Sequence, residues 1–316
     1  MLVPWRLAAF AFLAVALPLQ AQHRNRSHSD DRDDVEFKLD TTVALSRSGT
    51  VDLQSFSGDV TVISWDRDEV KVHAMTRHRL RFDSSPSRVS LIESPEDRED
   101  YEDDRDRHTG IEISMPKSAR LLVRTISGDV NVRDVADVEA HSVSGDVNAS
   151  NIASHAVLES VSGDLTVIHV SAGLRASTVS GDLHAKQITG EVAAQSVSGD
   201  VVLDDVTSAY VRAETVSGEV KFTGPVDPKG RYEFHSHSGD IDLDLTGGGG
   251  NATLEVETYS GDLDTECKMT LQAGGRGDRM GKRGTFTLGN GGGAHFILKT
   301  FSGDVHLQGC RSHGDN

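Results

Sequence analysis

Residue types that could carry out nucleophilic or acid–base chemistry recur along this chain at a regular spacing. Ser-Gly-Asp or Ser-Gly-Glu triplets begin at ten serines, and a related Thr-Gly-Glu triplet begins at Thr189. A hydroxyl beside a carboxylate, with histidines nearby, has the components of a nucleophile and its base. The ten serines are Ser57, Ser127, Ser144, Ser162, Ser180, Ser198, Ser217, Ser238, Ser260 and Ser302. A catalytic group is needed once, so tenfold repetition favours a structural role.

The triplet has the composition of a sharp corner in the chain. Glycine takes backbone angles that other residues adopt only at a cost, so it suits an abrupt change of direction. Serine and aspartate side chains hydrogen-bond nearby backbone amides and so close turns. The sequence therefore predicts that each triplet is a corner whose side chains serve geometry.

The segments between the triplets show the pattern of β-strands. Successive serines from Ser127 to Ser260 are 17 to 22 residues apart, with most steps near 18. Apolar residues stand six and four positions before each serine and three after it, and also five after it at all but Ser260, while position −2 is Ser or Thr. This period of two indicates strands with one buried face, and helical spacing is absent.

A strand unit of this length cannot bury its apolar face by itself. It must stack on copies of itself, which is the principle of solenoid proteins. The sequence therefore predicts an all-β fold, a parallel β-solenoid (β-helix or β-roll) with coils of about 18 residues stacked about 4.8 Å apart. A narrow core of this kind suits a chain that is only 5% aromatic.

The start of the chain resembles an export signal. Arg6 gives a short basic beginning, an apolar run follows, and Ala21 offers a small residue for cleavage. Residues 1–21 are therefore predicted to be a signal peptide and the polar residues 22–34 a flexible linker. A membrane-anchor helix is the alternative, but the apolar run is shorter than the roughly 20 residues that a span needs.

The predicted mature protein is acidic. The whole chain has 32 Lys and Arg against 49 Asp and Glu, a net charge of −17, and loss of Arg6 with the signal makes it −18. Such a surface repels nucleic acid and anionic lipid, and it tolerates cationic partners. We expect no membrane span after signal removal, and a location in the periplasm or at the cell surface. The oligomeric state is not assigned.

The remaining organisation follows from the repeat. Residues 35–81 are predicted to form N-terminal strands that cap the domain, and 82–109 to form a charged insertion loop. The β-solenoid repeats occupy 110–310, and 311–316 form a tail.

Stacked corners would place their acids in one row. Four carboxylates at neighbouring corners would lie about 5 Å apart, where like charges repel appreciably. Backbone amides, solvent or cations must therefore balance them, and weak Ca²⁺ binding is one hypothesis. The four candidate ligands are Asp146, Asp164, Asp182 and Asp200. No other cofactor is expected.

Several segments resemble a known bacterial family. The repeated "SGDV", "VSGDL" and "YSGDL" units, the element from Trp65 to Val70, and "IEISMPKSARLLVRTISGDV" at 111–130 are similar to the "putative-adhesin" family of β-strand repeats, a domain of unknown function. The resemblance covers roughly 35–310 and departs from the family at 82–109 and 268–295. It implies an exported β-solenoid with envelope roles, and it transfers no catalytic residues.

Three functions fit these observations. The first is a non-enzymatic exported adhesin or cell-envelope binding protein, whose partner is a glycan, a peptide or another protein. The second is an envelope-stress scaffold or sensor that binds a protein or cationic peptide. The third, a polysaccharide lyase or hydrolase, needs a unique cluster of acids and bases that breaks the repeat, and none is evident. Zinc-ligand spacing, phosphate-binding loops and nucleotide fingerprints are also absent, so no enzymatic activity is expected.

The two cysteines generate the first testable prediction. Cys267 and Cys310 follow their corner serines by seven and eight residues, so they lie at similar heights if those two coils are neighbours. We predict that they form a disulfide, the alternative being two free thiols. Intact-mass spectrometry should show both thiols blocked to alkylation until a reductant is added. Alkylation of the untreated folded protein would contradict the pairing.

Overall fold

The computed structural model describes residues 37–94, 109–246, 250–272 and 282–310. These residues contain 25 β-strands and no helix, which confirms the all-β prediction. In the described part of the chain there is accordingly no helix long and apolar enough to cross a membrane.

The predicted signal peptide, linker and tail all fall on residues that the structure does not describe. They remain predictions, as does the charged stretch 95–108.

Within each described range the strands follow one another with short connections. The N-terminal group is β1 (Phe37–Ala44), β2 (Thr50–Ser55), β3 (Asp59–Trp65), β4 (Glu69–Thr76), β5 (Arg79–Ser85), β6 (Arg88–Ser94) and β7 (Gly110–Pro116). The central group is β8 (Arg120–Ser127), β9 (Val130–Arg133), β10 (Asp137–Ser144), β11 (Val147–Ile152), β12 (His155–Ser162), β13 (Leu165–Val170), β14 (Gly173–Ser180), β15 (Leu183–Thr189), β16 (Glu191–Ser198) and β17 (Val201–Ser217). The C-terminal group is β18 (Val220–Ser238), β19 (Ile241–Thr246), β20 (Ala252–Ser260), β21 (Leu263–Thr265), β22 (Met269–Leu271), β23 (Lys282–Leu288), β24 (Ala294–Ser302) and β25 (Val305–Gln308).

Two parallel ladders organise these strands. The leading ladder contains the strands that run into each triplet, in the order β2, β8, β10, β12, β14, β16, β17, β18, β24 and β20. The trailing ladder contains the strands that follow it, in the order β3, β9, β11, β13, β15, β17, β18, β19, β25 and β21. The pairing puts triplet beside triplet, since Ser144 pairs with both Ser127 and Ser162.

The core lies between the two ladders and consists of the positions that the period-two pattern assigns inward. Val138, Ala140, Val147 and Ala149, for example, are all at most 2% exposed. Toward the C-terminal end, where the steps lengthen to 21 and 22 residues, the core is filled by contacting rings. These rings belong to Phe222, Tyr232, Phe234 and Phe296. A longer coil encloses more volume, so it needs larger side chains to pack without voids.

The stacking order departs from the chain order at both ends. Strand β24 inserts between β18 and β20, so the triplet at Ser302 stacks between those at Ser238 and Ser260. Likewise β2 lies between β6 and β8. At the C-terminal end the chain therefore makes its outermost coil first and returns to fill the place beneath it. At the N-terminal end it makes the inner coil first and the outermost one next.

Among the described residues, antiparallel strands cover both ladders at the N-terminal end and the leading ladder at the C-terminal end. At the N-terminal end β5 pairs with β6, β4 with β7 and β1 with β4. At the C-terminal end β23 pairs with β20 and β22 with β23. These strands occupy hydrogen-bonding edges that would otherwise invite pairing with other chains.

One boundary expected from the sequence is wrong. Residues 82–109 were expected to form a charged loop, but 82–94 belong to β5 and β6. Val89 and Leu91 alternate with polar residues and are buried against the core. The dense charges that suggested a loop lie at 95–107, after this alternation, and it is the alternation that decides strand formation.

The structure pairs the two cysteines. Cys267 and Cys310 form a disulfide with their Cα atoms 5.3 Å apart. They follow β21 and β25, which are neighbours in the trailing ladder. The bond therefore ties the outermost coil to the coil stacked beneath it.

The corners bring successive coils into their closest backbone contact. A Cβ added to Gly181 would lie 2.3 Å from the carbonyl oxygen of Gly163, and Gly181 has φ +148°. The same approach, 2.0–2.3 Å, recurs for every triplet glycine from Gly128 onward. Each glycine therefore makes room for the carbonyl group of its neighbour in the stack.

Alanine at this corner should destabilise the fold. For Gly181→Ala we expect a loss of about 2–4 kcal/mol in the free energy of unfolding, because the methyl group meets backbone and φ is strained. Urea unfolding followed by circular dichroism measures it. Ser180→Ala, at the exposed neighbouring position, is the matched control and should change stability by less than about 0.5 kcal/mol. Equal stability of the two variants would contradict the close-packed corner.

Candidate functional site

The corner carboxylates form a continuous row, here called the acid row. In nearly every coil one carboxylate oxygen accepts the backbone N–H of the acid in the next coil, at 2.7–3.0 Å. In stacking order the row is Asp59, Asp129, Asp146, Asp164, Asp182, Asp200, Glu219, Asp240, Asp304 and Asp262. The amides that cap the row offset the repulsion between neighbouring charges.

The four residues proposed to bind Ca²⁺ all belong to the acid row. Asp146, Asp164, Asp182 and Asp200 each use one oxygen to accept an amide, so the structure gives these oxygens a partner in the protein. Among the described residues no three His, Cys, Asp or Glu side chains are grouped as a metal site would require. Calcium binding therefore stays a prediction.

A second column, of hydroxyl groups, lies inside the corner. The Ser or Thr two positions before each triplet serine is buried. From Thr178 onward in the stack its hydroxyl donates to the glycine carbonyl of the preceding coil. Ser142 instead donates to Gly145 of its own corner, and Ser160 Oγ is buried without a hydrogen-bond partner among the described residues. The donor–acceptor distances of these bonds to the preceding coil run from 3.0 Å for Thr215 to 3.4 Å for Thr258. This bond satisfies a carbonyl at the most crowded point of the stack.

A third column is exposed and apolar, and we call it the apolar column. It consists of the residue just before each triplet serine: Phe56, Ile126, Val143, Val161, Val179, Val197, Val216, His237, Phe301 and Tyr259, in stacking order. The large apolar members from Ile126 onward are 42–49% exposed. Single exposed apolar residues are ordinary, but a continuous stripe along one surface is typical of an interaction site.

The apolar column ends in a stack of rings. The rings of Tyr259 and Phe301 lie 4.7 Å apart and within 3° of parallel, and His237 stacks on Phe301 at 4.9 Å. These three residues belong to the coils whose order the inserted β24 changes. The insertion therefore makes this aromatic end, because it brings Phe301 between the other two rings.

Sequence reasoning missed the apolar column. The pattern of inward positions in each unit was used, and the residue just before the triplet serine was not considered, although it is visible in the sequence at every triplet. The signal was an apolar residue at an outward position. At position −3 of the same strands, also outward, the residues are mostly polar: His141, Glu159, Ser177, Gln195 and Glu214.

The structure also assembles a polar cluster at the N-terminal end. The Glu93 side chain is fully buried beside the first corner, and its carboxylate accepts hydrogen bonds from Ser55, Thr76 and the Phe56 amide. The Ser57 amide also donates to this carboxylate, at 3.3 Å, and His78 Nδ1 lies 2.9 Å from Glu93 Oε1. Burial would raise the pKa of Glu93, but these hydrogen bonds outweigh it and hold the pKa below its ordinary value.

This cluster lacks the geometry of a catalytic triad. Ser57 Oγ lies 3.4 Å from His78 Nδ1, the same ring nitrogen that contacts Glu93. A triad places the hydroxyl and the carboxylate on opposite ring nitrogens so that a proton can pass between them. Glu93 follows Ile92, the last residue of β6 that pairs with β2, and it accepts the Ser55 hydroxyl. It therefore extends the buried hydroxyl column and closes the first corner.

An acidic groove of about 530 Å³ lies on the trailing ladder near the C-terminal end. Asp242 and Glu219 interact there, and Lys221 contacts Glu219 at 2.6 Å. Burial and the neighbouring Glu219 carboxylate raise the pKa of Asp242 to about 6. The carboxyl group of Asp242 is therefore partly protonated near neutral pH.

Comparisons with known proteins complete the description. The chain matches the model of the Toastrack DUF4097 family over residues 109–227 and 195–308, which together span more than half of it. No curated protein matches. A crystal structure of a "putative cell adhesion protein" from Clostridium sporogenes aligns with 86% of this chain and 99% of its own, at 7% identity and a TM-score of 0.23. That likeness is too low to carry an argument.

Removing the Glu93 charge should weaken the fold in a pH-dependent way. Because the pKa of Glu93 is lowered from 4.5, its contribution is complete above that pH and is lost as the pH falls through the lowered pKa. We expect Glu93→Gln to lose about 2 kcal/mol at pH 7 and the difference from wild type to shrink in acid. Urea unfolding from pH 7 to pH 3 measures this. Glu159→Gln, at an exposed carboxylate, is the control, and a deficit for Glu93→Gln that persists unchanged at pH 3 would contradict the assignment.

Proposed function

This chain belongs to the Toastrack DUF4097 family, and from that premise we propose that it is an exported, non-enzymatic binding module of the cell envelope. In this proposal it acts as an adhesin-like protein and holds its ligand along the apolar column. The family description names no activity, so the support comes from the surface of the molecule.

The architecture we propose is a parallel β-solenoid. Two parallel ladders advance by one triplet per step, and each triplet joins a leading strand to a trailing strand. This arrangement supports coils of about 18 residues that wind around a shared core. A long, straight and repetitive surface follows from it.

The exposed apolar column is the observation that carries the functional proposal. Its large apolar members, each 42–49% exposed, stand at the same position in successive coils and so form one continuous stripe. Contiguous exposed apolar surface of this kind marks interaction sites in many proteins. Strand propensity alone favours valine at exposed positions. It does not explain why position −1 is apolar while position −3 of the same strands is mostly polar.

The polar chemistry of the molecule supports binding over catalysis. The acids along the corners are repeated, and nearly all of them are engaged with backbone amides. In the polar cluster around Glu93, one histidine nitrogen is shared by the hydroxyl and the carboxylate. A polysaccharide lyase or hydrolase would need a distinct acid and base facing a substrate.

Export to the periplasm or cell surface is part of the same proposal. The sequence of residues 1–21 supports it, and the disulfide fits an oxidising compartment. A second candidate function, an envelope-stress sensor of a cationic peptide, is favoured by the acid row. The two candidates differ in the ligand, and the same surface serves both.

The binding face can be tested by replacing its centre. The triple variant Val161→Asn, Val179→Asn, Val197→Asn should fold, because all three side chains are exposed. We expect it to lose roughly tenfold or more in capture on a glycan and peptide array, because the apolar contact is removed.

The matched control carries three asparagines on the opposite ladder, at Thr166, His184 and Val202. These positions pair with one another in register on the outside of the trailing strands. The control should capture ligands as the wild type does. Unchanged capture by the column variant, or loss in the control alone, would contradict the proposed face.

A further inference from the structure

We infer that the ligand of the apolar column is a linear glycan without negative charge, which lies along the corners with about one sugar ring per coil. This inference rests on the proposed function and names the ligand class of the same site. It follows from the acid row, from the spacing of the coils and from the aromatic end.

The apolar column and the acid row form one composite surface. Each corner presents an apolar residue, an exposed serine, a glycine and an acid in sequence, as in Val179, Ser180, Gly181 and Asp182. Stacking repeats this order in coil after coil, so an apolar stripe runs beside a stripe of hydrogen-bond acceptors. A ligand that uses both stripes must be apolar on one side and rich in donors along the other.

The acid row selects the charge of that ligand. One oxygen of Asp164, Asp182 and Asp200 accepts a backbone amide, which leaves the second oxygen of each carboxylate for a donor from outside. Hydroxyl and ammonium groups donate to carboxylates in strong, charge-assisted hydrogen bonds. Anionic polymers meet a row of like charges and are repelled. A second copy of this chain, with a net charge of −17, brings a like-charged surface of its own.

The spacing of the coils selects the repeat of the ligand. Neighbouring coils are about 4.8 Å apart, whereas side chains on one face of an extended peptide are about 6.6–6.8 Å apart. An extended peptide therefore falls out of step after one or two coils. A pyranose ring with its linking oxygen is close to one coil in length, so successive rings meet equivalent corners.

A sugar ring also has the required two-sided chemistry. Its C–H groups form an apolar face that can pack on the valines, and its hydroxyl or amino groups extend sideways toward Ser180 and Asp182. The stacked rings of His237, Phe301 and Tyr259 add apolar area at one end of the column. Aromatic groups dominate the binding energy of many interfaces, so this end should anchor the chain.

The test measures oligosaccharide binding by the full-length folded protein with isothermal titration calorimetry. The probes are β-1,4-linked hexamers of glucose, glucosamine and glucuronate, which share one ring geometry and are neutral, cationic and anionic. We expect the neutral and cationic hexamers to bind, and the anionic hexamer to bind at least about tenfold more weakly at low salt. A neutral trimer should bind about tenfold more weakly than the hexamer, because it reaches fewer coils.

Two variants separate the charge from the apolar contact. The triple variant Asp164→Asn, Asp182→Asn, Asp200→Asn keeps an oxygen to accept each amide and removes the three charges, so the fold should persist. In this variant the affinities for the neutral and anionic hexamers should differ by no more than about threefold. Phe301→Ser with Tyr259→Ser should weaken the neutral hexamer about tenfold while leaving the preference between charges in place.

Several outcomes would overturn the inference. Equal binding of the anionic and neutral hexamers by wild type, or a preference unchanged in the asparagine variant, would remove the role of the acid row. Binding of a basic amphipathic peptide with no binding of any hexamer would show that the ligand class is wrong. If the wild type then still captures array ligands and the column variant does not, the proposed binding function stands and only the glycan inference fails. If the column variant captures ligands as the wild type does, the proposed function and the glycan inference both fail.

Discussion

The close approach of backbone at the triplet glycines is the constraint on which the rest of this structure depends. Each glycine from Gly128 onward faces the carbonyl oxygen of its neighbour at a distance that leaves no space for a side chain. Two coils can meet in this way only when their glycines coincide. A slip by one residue would turn every side chain of a strand to the other face. The corner therefore sets the register for both ladders, and every other column follows from it.

The hydroxyl column and the acid row each meet a physical requirement that the stacking of the coils imposes. The buried hydroxyls of residues such as Thr178 and Ser196 satisfy the crowded glycine carbonyls. The carboxylates accept amides of the next coil and so become tolerable in a row. The residue just before the triplet serine has no such structural role, and its side chain is about half exposed. An apolar residue there in coil after coil is therefore the feature that points beyond the fold, toward a ligand.

Much of this could be predicted from the sequence because the information is local and repeated. The alternation of Val138 and Ala140 with polar residues, and the recurrence of Ser-Gly-Asp, were enough to predict strands, corners and buried positions. The insertion of β24 between β18 and β20 could not be predicted, since Ser260 and Ser302 carry the same corner and either can stack on Ser238. The Glu93 cluster was missed because Thr76, His78 and Glu93 meet only through the antiparallel cap, outside the repeat.

Distances between spin labels in the folded protein, with its native disulfide left oxidised, test the central claim most directly. One label at Asn131 and a second at Val202, His306 or Asp264 would lie four, seven and eight coils apart in the stacking order. We predict separations of about 19, 34 and 38 Å, increasing by about 4.8 Å per coil, with His306 nearer than Asp264. Distances that do not grow with coil number, or that place Asp264 nearer, would contradict the account.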